Sequence, residues 1–193
     1  MPTQQYDALY DVTVALISSL PPSFTYHNLG HTLDVVKEAQ AIAAAEGITD
    51  ADDLLRLRTA ALLHDVGFVK TYNTHEMVGC ALAEPLLLQF GYTLADIEAI
   101  KRMIMATEIP QNPLDQLSAI LCDADLDYLG RPDFYAIAQT LKTEWINHHI
   151  MTSEDEWEAR QLTFLRGHRY FTPSGIQRRE KQKQQYIQQL SAS

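Results

Sequence analysis

Apolar residues recur along the chain at three- and four-residue steps, as in Leu54, Leu57, Ala61 and Leu62 or in Ile97, Ile100 and Ile104. That spacing lines one face of a helix. No stretch alternates strictly between apolar and polar over the length of a strand, so the pattern predicts an all-α fold. Start signals support it: Thr49 with Asp52, Thr93 with Asp96, Ser153 with Glu156 and Ser174 with Gln177 stand at the capping-box spacing. Glycine and proline interrupt the runs at Pro21-Pro22, Gly47, Gly67, Gly91, Pro110 to Pro113, Gly130-Arg131-Pro132, Gly167 and Pro173. Helices are therefore expected over about 4–20, 28–46, 51–66, 74–90, 94–107, 114–127, 132–151, 154–166 and 174–190. The loops between them are short, and no repeat or Gly/Ser linker divides the sequence.

Composition narrows the class. A chain of 193 residues, 46% hydrophobic and 21% charged, is expected to form one domain over 1–193, with a core over about 24–171 and a terminal helix over about 174–190. A net charge of -10 speaks against general attraction to nucleic acid or anionic lipid, so neither is an expected partner. Cys80 and Cys122 lack paired or zinc-finger spacing and read as reduced packing residues. No basic stretch leads into an apolar run, and none approaches the ~20 residues that cross a bilayer, so a cytoplasmic location is expected.

Three segments carry candidate chemistry. Tyr26-His27-Asn28-Leu29-Gly30-His31 lies where a loop enters a helix, with two histidines four apart, on one side if the helix already includes His27. Ala60-Ala61-Leu62-Leu63-His64-Asp65 places adjacent ionisable residues at the end of an apolar helix. Such groups are costly to bury unless paired or metal-bound. Each of these residues taken singly also has an ordinary structural use, in packing or capping. Cys122-Asp123-Ala124-Asp125-Leu126-Asp127 follows another apolar run. Here Asp123 and Asp127 can share a helix face, whereas Asp125 projects elsewhere.

Taken in order, His, His-Asp and Asp resemble the HD metal-dependent phosphohydrolase superfamily, whose fold is a helical bundle with a metal in its interior. The resemblance carries the metal ligands onto His31, His64, Asp65 and Asp125, the last being the second Asp of Asp-Ala-Asp. Further stretches are similar to one branch of predicted phosphohydrolases: Tyr-His-Asn-x-x-His, His75-Glu76 with Gly79, Ile104-Met105-Ala106-Thr107, Asp-Ala-Asp-Leu-x-x-Leu-Gly ending at Gly130, and the tail from Leu165 to Phe171. What this implies is cleavage of a nucleotide or another small phosphate mono- or diester by metal-activated water. Two imidazoles and two carboxylates suit one divalent ion, Mn, Fe, Co, Ni, Zn or Mg. No organic cofactor site is read.

The opening motif is also similar to that of cyclic-nucleotide phosphodiesterases, which implies His27 as the acid that protonates the leaving group. Glu76 can orient or deprotonate water, although an acid in a first helical turn equally stabilises the helix terminus. His75 matches a third histidine of HD-GYP phosphodiesterases, but Ala106, Thr107 and Glu108 stand where a later histidine pair is expected, and Gly-Tyr-Pro is absent. One metal is therefore expected, with a second held by His75 and Glu108 as the alternative. The same residues also permit a metal-containing sensor without turnover, or a di-iron oxygenase of the same fold.

Overall fold

The computed structural model describes residues 2–151, 153 and 156–192, the side chains of residues 2–4 excepted. Its elements are helical, and there is no strand among the described residues. In chain order they are α1 (Pro2–Ser18), α2 (Leu29–Ala45), α3 (Ala51–Leu63), a 3₁₀ turn (Val66–Val69), α4 (His75–Gln89), α5 (Leu94–Ala106), α6 (Gln116–Asp125), a second 3₁₀ turn (Asp127–Gly130), α7 (Phe134–Asn147) and α8 (Trp157–Gly167). The terminal run comprises α9 (Pro173–Gly175), a π turn (Ile176–Glu180) and α10 (Lys181–Ala192). No helix among the described residues is long and apolar enough to cross a membrane.

Local chemistry sets the ends. Asn28, in extended conformation, accepts hydrogen bonds from the Gly30 and His31 amides and so starts α2. Thr93 and Asp96 form the reciprocal capping box expected of them. Two other starts differ from expectation. Asp50 rather than Thr49 caps α3, through the Asp52 and Asp53 amides, and Thr172 rather than Ser174 caps α9, with Pro173 in the first turn. Glu156 precedes α8 without a side-chain cap bond; residues 154 and 155, where that helix was expected to begin, lie outside the described residues.

The helix expected over 51–66 stops at Leu63, and the chain turns through His64 and Asp65 into the first 3₁₀ turn. Close packing accounts for the break. A Cβ on Gly67 would collide with the His75 carbonyl group and stand 2.8 Å from the Gly79 nitrogen, so α4 seats directly against this turn.

Two apolar clusters result. α2 packs against α3 and α6, and α3 against α5, around Leu9, Ile42, Leu57, Leu62, Ile100 and Leu121. Ala39, Ala43, Ala60 and Ala61 are fully buried and let the helices approach closely. The second cluster, with Leu129, Phe134, Trp157, Leu165 and Tyr186, joins the second 3₁₀ turn to α7, α8 and α10. Cys80 and Cys122 are free and buried.

The carboxylates on either side of Asp125 fasten the terminal run to this body. Asp123, fully buried, accepts from the Phe171 and Thr172 amides at 2.8 Å and from the Thr172 hydroxyl at 2.6 Å. Asp127 accepts from Arg179 Nε at 2.7 Å, and Glu38 of α2 from Arg178 at 2.6 Å. Replacing Asp123 by Ala strands three donors in the interior. Urea denaturation should show a loss of about 2–4 kcal/mol, against about 1–2 for Thr172→Val. Equal effects would mean that the carboxylate is not the anchor.

His168 adds a pH term. Its pKa is pushed down from 6.5 to about 3, by burial and then by the Lys183 ammonium beside it. The unfolded chain binds this proton near 6.5 and the folded chain does not, so stability falls as pH drops below about 6.5. The slope is at most ~1.4 kcal/mol per pH unit. His168→Asn should flatten the profile of denaturation midpoint against pH in that range; an unchanged slope assigns the acid sensitivity to other groups.

Candidate metal centre

Four side chains meet where three helix ends converge. His31 stands in the first turn of α2, His64 caps the end of α3, Asp65 follows it, and Asp125 is the last residue of α6. The His64 Nε2 lies 3.3 Å from His31 Nε2 and 3.2 Å from Asp65 Oδ2. His31 Nε2 is 3.4 Å from Asp65 Oδ2 and 3.3 Å from Asp125 Oδ1, and His64 Nε2 is 3.6 Å from that same Asp125 oxygen. His31, His64 and Asp65 thus form a group that can hold a metal ion, with Asp125 alongside.

The protonation pattern is set by the backbone. His64 Nδ1 bonds the Ala61 carbonyl at 2.8 Å, a helix-end carbonyl that needs a donor, so the ring presents Nε2 to its neighbours. Burial opposes ionisation of Asp65 and Asp125, yet the adjacent imidazoles hold both carboxyls below the ordinary range. The two carboxylates in turn raise His64 against its own burial. The cluster therefore requires positive charge at its centre, from protons or from a cation.

A divalent ion fits that requirement. Asp65 Oδ2 is buried and has no hydrogen-bond partner, a costly arrangement unless the oxygen serves as a ligand. Donor atoms about 2.1 Å from a tetrahedral centre stand about 3.4 Å apart. The spacings above are of that size.

Around the cluster, the other expected residues take different positions. His27 precedes the Asn28 cap and so lies outside α2, and the condition under which helix spacing would set it beside His31 is not met. Its ring nevertheless stands 5.9 Å from the His31 ring. His75 Nε2 is 3.5 Å from Asp65 Oδ1 and 3.4 Å from Glu76 Oε1, so Glu76 approaches the cluster through His75. Glu108 is exposed and lines a cavity that Asp65, His75 and Glu76 also reach.

One residue is absent from the reading of the sequence. Glu144 of α7, fully buried, bonds His27 Nδ1 and accepts from the Tyr26 amide at 2.8 Å, the His27 amide at 2.9 Å and the Tyr72 hydroxyl at 2.8 Å. Burial raises its pKa, but the His27 bond and these amides bring it below the usual value, so it is a carboxylate. Glu144 fixes His27 at the mouth of the cluster. Beyond lies a cavity of about 390 Å³, reached by His27, Asp65, His75, Glu76 and Asp125 and walled by aromatic and aliphatic side chains.

The HD domain model matches residues 28–127, a span that contains all four clustered residues. The chain belongs to the HD domain family. Its fold is similar to the crystal structure of a predicted HD superfamily hydrolase from an uncultured Thermotogales bacterium, with a TM-score of 0.62 and 21% identity over 96% of this chain and 91% of that one. It is 33% identical over 85 residues to an uncharacterized protein of Clostridium beijerinckii, covering 42% of this chain. The matched stretch spans 53% of that relative.

Glu144→Ala in this HD-domain protein leaves two amides and a hydroxyl without their acceptor. It should cost about 2–4 kcal/mol in urea denaturation, while Tyr72→Phe, which removes a single donor, should cost about 1. If the two match, the carboxylate does not organise this corner.

Proposed function

We propose that this chain is a metal-dependent phosphohydrolase that cleaves a small phosphate ester, a nucleotide among the candidates. The observation that carries the reading is the convergence of His31, His64, Asp65 and Asp125 on one point beside a cavity, with Asp65 Oδ2 buried and otherwise unpartnered. These four residues would hold the ion. When bound, a divalent cation lowers the pKa of water and offsets charge building on phosphorus.

The chain's own residues supply the rest. Glu144 holds His27 through Nδ1, which leaves Nε2 as the atom that hands a proton to the leaving oxygen. Glu76, buried at the cavity wall, would take a proton from the attacking water. Phe68 stacks on His75 with ring centres 3.9 Å apart and keeps that imidazole against Asp65.

A second reading has its own support. The two oxygens of Asp65 face different partners, Oδ2 the His31–His64 pair and Oδ1 His75, an arrangement that suits a carboxylate bridging two cations. Elemental analysis of metal-saturated protein separates one ion per chain from two.

The purified chain should hydrolyse simple phosphate esters with added Mn²⁺ or Co²⁺. His64→Ala and Asp125→Ala should each lose turnover at least about a hundredfold, and His27→Ala about 10²–10⁴-fold in kcat. Metal at a hundred times Kd should stabilise the wild type by about 2.7 kcal/mol and leave His64→Ala nearly unmoved. Metal binding without turnover on a broad phosphate panel would favour a sensor over an enzyme.

A further inference from the structure

The walls of the cavity carry information about the substrate that the metal cluster does not. Of its described lining residues, Asp65, Glu76, Glu108 and Asp125 are acids, whereas Arg160 alone is a lysine or arginine. Arg160 is exposed, at the mouth, and its guanidinium is paired with Glu156 at 3.2 Å. The rest of the lining is largely aromatic and aliphatic: Phe68 and Tyr72 beside His27 and His75, with Trp145, Trp157, Phe164 and Leu165. Trp145 and Trp157 meet edge to face with centroids 5.6 Å apart, and Phe68 and Tyr72 do so at 5.1 Å. Phe68 is covered by His75, and Trp157 and Leu165 are largely buried, so the half-buried Trp145 and Phe164 are the rings with apolar surface to offer.

Charge balance then limits what can enter. A dication held there would be neutralised by the carboxylates of Asp65 and Asp125, so one phosphate adds anionic charge that the ion and the His27 ring would meet at close range. A second or third phosphate would lie along a largely apolar wall with two further acids nearby, and among the described lining residues the exposed Arg160 is the one lysine or arginine to meet it. Burying such charge without partners is strongly unfavourable. An aromatic ring on the alcohol side, in contrast, gains contact with the wall and loses little.

We propose that the substrate is an ester of a single phosphate whose alcohol part bears a planar aromatic ring, and not a di- or triphosphate. This rests on the phosphohydrolase reading above and narrows it. In the reaction water adds to phosphorus and the bond from phosphorus to the alcohol oxygen breaks with its electron pair on that oxygen. One proton of the water ends on the alcohol and the other on the phosphate, so no other reactant is needed.

The test uses esters with leaving groups of similar basicity. With the Mn²⁺-loaded chain, kcat/KM for benzyl phosphate should exceed that for ethyl phosphate at least tenfold. Benzylphosphonate, which cannot be hydrolysed, should change tryptophan emission saturably, since Trp145 and Trp157 are the two tryptophans of the chain and both face the cavity. Adenosine monophosphate should displace it at least tenfold more tightly than adenosine triphosphate, with metal in excess of nucleotide. Phe164→Ala, at a half-buried wall position, should lower the ratio of kcat/KM for benzyl over ethyl phosphate.

Equal rates for the two esters, or tighter displacement by the triphosphate, would overturn the proposal while leaving the phosphohydrolase standing. If no ester is cleaved, the parent reading fails, and the phosphonate titration still judges the wall: saturation supports an aromatic monophosphate ligand, and a flat titration rejects it.

Discussion

Two carboxylates and two imidazoles held together out of water form the constraint around which this molecule is arranged. Like charges at such distances repel strongly in a poorly hydrated site, and each carboxylate loses hydration. The arrangement persists only with positive charge at its centre and with every other lone pair directed elsewhere. The backbone does the directing: His64 is turned by the Ala61 carbonyl, and the α2 turn that carries His31 is set by the Asn28 cap. Each ligand sits at or near a helix end, where the chain can change direction and present a polar side chain inward.

Asp125 illustrates how neighbouring residues divide the work. Asp123 and Asp127, on either side, face the terminal run and bond Thr172 and Arg179, which leaves Asp125 to project towards His31. The carboxylate at each alternate position thus has its own donor set. The same division accounts for Thr172, Arg178 and Arg179, which complete acids on α6, on α2 and in the second 3₁₀ turn.

Much of this was legible in the residues. Apolar periodicity located the helices because each buries one face, and the alternation of Asp123, Asp125 and Asp127 already implied two directions. Boundaries were less visible. The expected helix through Val66 stops at Leu63 because Gly67 must seat against α4, a contact between segments that no local pattern records. Thr49 and Ser174 had the right spacing for caps, but a neighbour with a better approach to the amides took each role. Glu144 belongs to no motif. Its one sequence signal is position: Ile137, Leu141, Glu144 and His148 follow a single helical stripe in which two members are aliphatic, so a carboxylate there is directed inward. A charged residue on an apolar stripe calls for a partner, and His27, from more than a hundred residues earlier, provides it.

The family match ends at residue 127, between the clustered side chains and much of the cavity wall. Inside it lie the four clustered side chains with His75 and Glu76. Outside it lie His27, the Glu144 that holds it, and Trp145, Trp157, Phe164 and Leu165 on the cavity wall. A cluster that handles charge on phosphorus must keep a nearly fixed geometry, because displacing one donor by an ångström changes both its electrostatics and its fit to an ion. The wall faces a gentler demand, shape and apolarity, which many side chains meet. On the proposed reading the side chains of α2, α3 and α6 would meet the phosphate, whereas much of the wall that would meet the alcohol part, Trp145, Trp157, Phe164 and Leu165, comes from α7 and α8.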